Sequence, residues 1–222
     1  MLRADLHVHT CYSRDTLISP DALISRCQET GINCAAITDH NAIAGAFELK
    51  EKAPFLIIIG EEIRTSHGDI IGLFLHDEIP KGLSPQETVA RIKEQGGLVC
   101  IPHPFDRIRR SPLQRSALDG ILHQIDILEV FNSRTTLLRD SERARRFAEA
   151  HGLLMSAGSD AHTLGEIGGA YVEMPEFSNR DEFCKALAHG DVVGRRASPL
   201  VHLASTVAKL NWRLGNRHPA CR

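Results

Sequence analysis

The sequence predicts an α/β protein built on a parallel β-sheet, and two observations support this class. Short apolar runs alternate with stretches of amphipathic helical periodicity along the 222 residues, which is the order of repeated strand–helix units. Most of these runs are hydrophobic without alternation, as strands covered on both faces are. The sheet could be open or closed into a barrel, and we expect one domain over residues 1–222 because no repeat or linker divides the chain.

Seven strands and four helices follow from the local patterns. The strands are expected at 2–7, 34–38, 55–60, 69–75, 98–102, 127–131 and 153–159. Each helix has a start signal and a glycine stop signal: Ser19 with Gly31, the Ser84–Glu87 capping box with Gly96-Gly97, Asp140 with Gly152, and Asn179 with Gly190.

Composition excludes some classes of protein. Hydrophobic residues make up 42% of the chain and charged residues 24%, and the net charge is −2. These values are ordinary for a globular protein and give no general electrostatic case for binding nucleic acid or membrane. No leader precedes the first strand, and no apolar run approaches membrane-spanning length, so we expect a cytoplasmic protein with no membrane partner.

Two further features bear on the chemical environment and on the end of the chain. The six cysteines form no C-x-x-C pair, which favours reduced thiols over a disulfide framework. From Arg195 onward the chain has six Lys or Arg residues and no acidic residue. This segment is either a helix packed on the barrel with a frayed end or a basic tail, and we favour the packed helix.

Histidine and acidic side chains follow five of the predicted strands at their carboxyl ends. They are Asp5, His7 and His9, then Asp39 and His40, then Glu62, then His103, and finally Asp160 and His162. Because the carboxyl ends of parallel strands meet at one face of a barrel, we expect these side chains to converge. His7 and His9 are two residues apart and so point to the same face of an extended strand.

These ligand types predict a metal centre with a hydrolytic role. Histidine and carboxylate without cysteine suit Zn, Mn or Fe better than a structural zinc site. The set is too large for one ion, so two or three divalent ions sharing a bridging carboxylate are expected. Asp5 and Asp39 are expected to orient neighbouring imidazoles. Glu61 and Glu62 compete for one inward position, because side chains alternate along a strand.

The order of these motifs resembles one family. Asp5-Leu6-His7-Val8-His9, Thr38-Asp39-His40, Gly60-Glu61-Glu62, Pro102-His103-Pro104 and Ser159-Asp160-Ala161-His162 are similar to the motifs of the PHP (polymerase and histidinol phosphatase) superfamily, in the same order. The resemblance covers the chain from Asp5 to His162. It implies a distorted (β/α)7 barrel, a metal site at the carboxyl ends of the strands, two or three divalent ions, and hydrolysis of phosphate esters.

The resemblance also implies a ligand set. The first metal would be held by His7, His9, Glu62 and Asp160; Glu62 would bridge to a second metal held by His103; and His40 and His162 would hold a third. His7, His9, Glu62, His103, Asp160 and His162 are the residues expected to act in catalysis.

The chain departs from the histidinol phosphatases at two positions and from nucleotide-phosphatase relatives at a third. It lacks the further histidine that the histidinol phosphatases have for the third metal, where Asp15 is the nearest candidate. It lacks their histidine after strand 127–131, so Asn132 or water would complete the second metal. Asp69 stands where nucleotide-phosphatase relatives often carry histidine, and it could replace that ligand.

The function implied is hydrolysis of a phosphate monoester of a small metabolite or nucleotide, with a metal-bound hydroxide attacking phosphorus in line. Arginine matches paired phosphoryl oxygens, and the candidates are Arg134 and Arg107 or Arg110. One alternative is a nuclease or phosphodiesterase acting on short oligonucleotides, favoured only by the basic C-terminal segment. A second alternative is a non-catalytic metal-binding module. The sequence does not fix the metal, the substrate or the oligomeric state.

Overall fold

The computed structural model describes residues 1–109, 111–198, 201, 205–208 and 212. Its strands are β1 Leu2–Val8, β2 Cys34–Ile37, β3 Leu56–Thr65, β4 Gly68–Leu73, β5 Leu98–Ile101, β6 Ile127–Asn132, β7 Leu154–Gly158, β8 Ala170–Met174 and β9 Asp191–Gly194. Its α-helices are α1 Pro20–Thr30, α2 Ala44–Lys52, α3 Pro85–Glu94, α4 Arg115–Ile121, α5 Leu138–His151 and α6 Arg180–Ala188.

The strands form one sheet in the order β7-β6-β5-β4-β3-β2-β1-β8-β9. The sheet curls so that β7 approaches β1 and nearly closes a barrel. Residues just beyond the ends of these two strands make the closing contacts: the amide of Asp160 donates to the carbonyl of His7 at 2.8 Å, and the amide of His9 donates to the carbonyl of Ala161 at 3.3 Å. The predicted α/β barrel is confirmed, and β8 and β9 extend it beyond β1.

The sheet is not wholly parallel, which corrects the sequence-based expectation. β1, β2 and β3 are parallel, as are β5, β6 and β7, but β4 is antiparallel to both β3 and β5. Only Ser66 and His67 separate β3 from β4, and so short a connection can form a hairpin but cannot cross over to a parallel strand. β3 also runs past its predicted end, so Glu62 lies inside the strand rather than beyond it.

Apolar side chains cover both faces of the parallel strands. In β2, Ala35 and Ile37 belong to one buried cluster, while Cys34 and Ala36 belong to another. This alternation explains why the strands appear in the sequence as continuous hydrophobic runs. No helix in the described ranges is long and apolar enough to cross a bilayer.

The cysteines differ from expectation at one position. Cys27, Cys34, Cys100 and Cys184 are free, but Cys11, in the loop after β1, is disulfide-bonded. The lack of C-x-x-C spacing therefore did not exclude a disulfide, because that spacing reports only on near neighbours in sequence. Cys221 lies outside the described residues.

Candidate metal centre

Two imidazoles at the end of β1 form the floor of the centre. His7 and His9 are both buried, and their Nε2 atoms lie 3.1 Å apart. His7 Nδ1 lies 3.0 Å from Glu129 Oε1, and His9 Nδ1 lies 3.3 Å from Ser13 Oγ. Because each Nδ1 has a hydrogen-bonding partner, the Nε2 atoms face the centre, where a cation could accept their lone pairs.

Glu62 is the central carboxylate of the cluster. Its Oε2 lies 3.5 Å from His7 Nε2, 3.4 Å from His9 Nε2 and 2.9 Å from His40 Nδ1. Its Oε1 lies 3.2 Å from His103 Nε2. One buried carboxylate thus touches four imidazoles from separate segments, which is the geometry a bridging ligand requires. Glu61 turns away from them and accepts a hydrogen bond from the Ile79 amide at 2.9 Å.

The loop after β7 supplies Asp160 and His162. Asp160 has a φ of 53°, and its Oδ1 lies 3.3 Å from His9 Nε2. His162 Nδ1 lies 2.8 Å from the carbonyl oxygen of Asp160, while its Nε2 lies 3.3 Å from Asp15 Oδ2. The same Asp15 oxygen lies 3.4 Å from His40 Nε2, so Asp15 stands beside both imidazoles expected at the third metal.

Three groups of side chains could each hold an ion, because the ligand atoms within each group lie within 4.8 Å of one another. They are His9, His40 and His162; His7, His9 and Glu62; and Glu62, Asp69 and His103. Asp69 is buried, and its Oδ2 has no hydrogen-bond partner among the described residues. An unpartnered buried carboxylate oxygen is costly unless a cation meets it, so this donor set fits divalent ions. That each of these residues binds metal remains a prediction.

Electrostatics favours the cation-binding forms of His9 and Glu62. Burial, followed by the neighbouring His40 and His162, lowers the pKa of His9 to about 3. Burial alone would raise the pKa of Glu62, but His40 and His7 outweigh it and hold that pKa well below its usual value. A neutral imidazole therefore lies next to an ionised carboxylate, as metal binding requires. At His7 and His40 burial alone would lower the pKa, but the neighbouring carboxylates outweigh it and raise each pKa well above its usual value, so these two imidazoles must lose a proton to bind a cation.

Buried carboxylates hold the loops around the cluster, and the expected orienting of imidazoles by Asp5 and Asp39 stays a prediction. Asp39 accepts hydrogen bonds from the Thr10 amide at 2.7 Å and from Ser13 Oγ at 2.6 Å. Asp5 accepts from the Ser159 amide at 2.9 Å and from the His7 amide at 3.4 Å. Both carboxylates therefore fix backbone on which the ligands sit. Neither is in the three groups above.

Asn132 also orients other groups. Its Nδ2 donates to Asp160 Oδ2 at 3.1 Å and to Glu129 Oε2 at 3.0 Å. The sequence analysis missed Glu129, which also accepts from the His103 amide at 2.7 Å. Glu129 lies two residues before the end of the predicted strand 127–131, and only the β-bulge between Glu129 and Phe131 makes its direction evident.

Arg134 and Arg107 are two of the arginines expected to meet the substrate phosphate. Arg134 is buried and points away from the cluster, with its Nε 3.0 Å from Glu166 Oε1. Arg107 is exposed, and its Nε lies 3.5 Å from Asp140 Oδ1. Buried carboxylates outside the cluster pair with both arginines in this structure, and their contact with the substrate phosphate stays a prediction. Arg110 lies outside the described residues.

Arg109, which the sequence analysis did not single out, is the arginine at the centre. Its Nη1 lies 2.5 Å from Asp160 Oδ2, and its Nη2 donates to Asn132 Oδ1 at 3.3 Å. It follows His103 by six residues, but the direction of its side chain depends on a loop without regular structure. The run Asp106-Arg107-Ile108-Arg109 gave no means of choosing among its arginines.

Family comparisons agree with this geometry. The model of the PHP domain matches residues 5–141, and that of the PHP-associated C-terminal region matches residues 139–192. The chain therefore belongs to the PHP family of metal-dependent phosphoesterases. It is 39% identical over 181 residues to the uncharacterized protein MJ0417 of Methanocaldococcus jannaschii, covering 80% of this chain and 72% of that protein. It is 42% identical over 146 residues to MJ1587 of the same organism, covering 60% and 82%.

Solved structures share the fold at low sequence identity. A two-domain protein from Bacteroides vulgatus that contains a predicted PHP-like metal-dependent phosphoesterase matches with a TM-score of 0.69 and 17% identity, over 87% of this chain and 65% of that one. PsfC from Pseudomonas syringae gives 0.67 and 18%, over 95% and 99%. The lesion-specific endonuclease PfuEndoQ from Pyrococcus furiosus gives 0.67 and 16%, over 89% and 59%.

Proposed function

We propose that this protein hydrolyses a phosphate monoester of a small metabolite or nucleotide at the cluster around Glu62. The observation that carries the proposal is the contact of one buried carboxylate with four imidazoles. Such an arrangement holds two or three divalent ions, and Zn, Mn and Fe suit these ligands. Ions held there would lower the pKa of a coordinated water and neutralise charge on the phosphoryl oxygens.

The ligand roles we propose follow the three groups of side chains. His7, His9, Glu62 and Asp160 hold the first ion, Glu62 bridges to the second, and His103 with Asp69 completes the second. The remaining side chains, His40, His162 and Asp15, hold the third. Asp15 takes the place of a histidine that the histidinol phosphatases have at the third metal, and Asp69 takes the place of a histidine that nucleotide-phosphatase relatives often carry.

Arg109 is the group we assign to the substrate phosphate. Its guanidinium is mostly buried beside Asp160, at the edge of the cluster. Arginine presents parallel N–H donors that match two phosphoryl oxygens. Its present partner, Asp160, is a proposed metal ligand. An ion on Asp160 would compete for that carboxylate and leave the guanidinium available to the substrate.

A second candidate is a phosphodiesterase or nuclease acting on short oligonucleotides. The shared fold with an endonuclease and the basic composition after Arg195 favour it. The monoester is preferred because aromatic side chains that could stack on bases make up only 5% of the chain.

Release of phosphate from monoesters, and of nucleotide or alcohol from diesters, with Mn or Zn added, tests the proposal. Release from monoesters alone supports it. Release from oligonucleotides or other diesters favours the nuclease. No release from any ester, in a protein shown to contain metal, contradicts both and favours a non-catalytic module.

Replacement of one ligand gives a sharper test. His103→Ala removes a proposed ligand at the end of β5, and we expect turnover and one equivalent of bound metal to be lost while the fold persists. Metal content by mass spectrometry, phosphate release and circular dichroism measure these effects. His123→Ala, at an exposed position, is the matched control. A His103→Ala protein that keeps full activity would remove this residue from the site.

A further inference from the structure

A large open cavity leads outward from the proposed third metal site. Its volume is about 860 Å³, and Asp15 and His40 form its inner wall. Pockets that take small ligands are usually about 300–1,000 Å³, so this one has room for a sizeable leaving group. The side chains that line the rest of the cavity therefore indicate which kind of leaving group the substrate carries.

The outer wall of the cavity is cationic. Arg14, Arg64 and Lys81 line it, and Glu78 is the acidic residue found there. Arg64 is already paired, with its Nε 2.9 Å from Asp69 Oδ1. Arg14 and Lys81 are exposed side chains and thus can reach an anion within the cavity.

Arg14 is held in place by the C-terminal segment. Its guanidinium carbon lies 4.4 Å from the centre of the Trp212 ring, a cation–π contact. Trp212 also lines the cavity. The same segment is attached to the barrel through Arg134, whose Nη2 donates to the carbonyl of Val201 at 3.0 Å and to Ser205 Oγ at 2.7 Å. The end of the chain thus completes the wall beside the metal centre.

We infer that this cavity binds a second phosphate of the substrate, through Arg14 and Lys81, with Trp212 orienting Arg14. The preferred substrate is then an ester whose leaving group itself carries a phosphate. This inference rests on the proposed function for the scissile phosphate, and it adds the class of leaving group. It also gives the C-terminal segment a part in specificity.

Kinetics on matched esters test the inference. A sugar monophosphate is compared with its bisphosphate, and a nucleoside monophosphate with its bisphosphate. We expect the wild type to prefer each bisphosphate in kcat/KM. Arg14→Ala should reduce that preference about tenfold, chiefly through KM, since a charge-assisted hydrogen bond is lost. Trp212→Ala should reduce it about threefold, and Trp212→Phe, which keeps an aromatic face, should restore part of it.

A binding measurement makes the test independent of activity. Trp212 is the only tryptophan of the chain, so its fluorescence reports on Arg14. Titration of the metal-free protein with inorganic phosphate should change this fluorescence saturably in the wild type and in Lys185→Ala, an exposed control. Arg14→Ala should abolish the change.

The two proposals fail in different ways. If esters are hydrolysed without preference for bisphosphates, or with a preference that Arg14→Ala leaves intact, the inference is overturned and the proposed function stands. If no ester is hydrolysed, the proposed function fails, and the fluorescence titration with phosphate alone tests whether the cavity binds an anion. An Arg14-dependent fluorescence change then supports the anion site, and an unchanged signal overturns it.

Discussion

At the scale of single residues, the directions of three imidazoles, those of His7, His9 and His162, are set by a hydrogen bond at the nitrogen that faces away from the cluster. His7 Nδ1 meets Glu129 Oε1, and His162 Nδ1 meets the carbonyl oxygen of Asp160. A ring held in this way loses little freedom when it binds a cation, and its basicity is raised by the partner. Among these partners Glu129 contacts two histidines of the cluster, because its other oxygen accepts a hydrogen bond from the His103 amide.

Substitution of Glu129 tests this orienting role. Glu129→Gln replaces one oxygen by an NH2 group, which cannot accept from both His7 and the His103 amide. We expect affinity for Zn or Mn to fall about 10–100-fold, measured by titration calorimetry, with a smaller change in melting temperature. Glu149→Gln, at an exposed position of α5, is the control. Equal metal affinity in both variants would show that Glu129 has no orienting role.

Thiol chemistry gives a second prediction at this scale. Burial, with a smaller contribution from the charge of Asp5, raises the pKa of Cys27 to about 12. In the unfolded chain the thiol ionises near its ordinary value of 9.0. The unfolded state therefore loses its proton first, and this residue's contribution makes the protein less stable as pH rises above about 9.

Alkylation at pH about 8 measures the effect, because the thiolate is the nucleophile. Cys27 should react far more slowly in the folded protein than in urea, while the half-buried Cys184 should react first. Site-resolved mass spectrometry separates the two. Fast labelling of Cys27 in the folded protein would contradict the burial of this side chain of α1.

At the scale of elements, the sequence predicted the three described helices that carry side-chain caps, α1, α3 and α6, and it missed two, α2 and α4, that carry none. Ser19 and Asn179 accept from the first turns of α1 and α6, as expected. α2 begins after Ile43 and α4 after Gln114, neither of which makes a side-chain cap. These helices form because they pack on the barrel, which local sequence does not reveal.

α5 and the strands also differ from the sequence-based expectation, mainly in where they begin and end. α5 begins at Leu138, so Asp140 lies in its first turn and contacts Arg107 rather than capping. All seven predicted strands exist with ends shifted by up to five residues. β8 and β9 were missed because each is short and neither forms a hydrophobic run. Every second residue of β8 is only partly buried, and no residue of β9 is fully buried.

The capping box of α3 supplies a test at this scale. Ser84 Oγ accepts from the Glu87 amide at 3.2 Å, and Glu87 Oε2 accepts from the Ser84 amide at 2.9 Å. Ser84→Ala should lower the free energy of unfolding by about 0.5–2 kcal/mol, measured by urea denaturation. Ser84→Thr, which keeps the hydroxyl, should lose much less. An equal loss in both would assign the effect to packing rather than to the cap.

At the scale of the whole molecule, convergence of the histidines and carboxylates depends on the approach of β7 to β1. The sequence placed the ligand residues at strand ends, and that placement was enough to predict one shared cluster. The charged groups around the cluster could not be predicted in the same way. The directions of Arg109 and Arg134 depend on which carboxylate the folded loops bring near, and that is a property of the tertiary structure.

Arg134 is one of these charged groups, and it joins distant parts of the chain. It pairs with buried Glu166 and donates to Val201 and Ser205, so it connects the loop after β6 to the C-terminal segment that bears Trp212. The described residues 205–208 of this segment are helical, and the packing of the whole segment on the barrel as a helix stays a prediction. Residues 209–211 and 213–222 lie outside the described part.

Removing this arginine should loosen the C-terminal segment and destabilise the fold. Arg134→Met leaves Glu166 buried without a cation, which typically costs about 3–5 kcal/mol, and it frees the segment from the barrel. We expect a lower urea midpoint and faster tryptic cleavage after Arg195. A second substitution, Glu166→Leu, removes the unpaired charge and should restore stability but not protection from trypsin. If Arg134→Met alone cleaves at the wild-type rate, other contacts hold the segment in place.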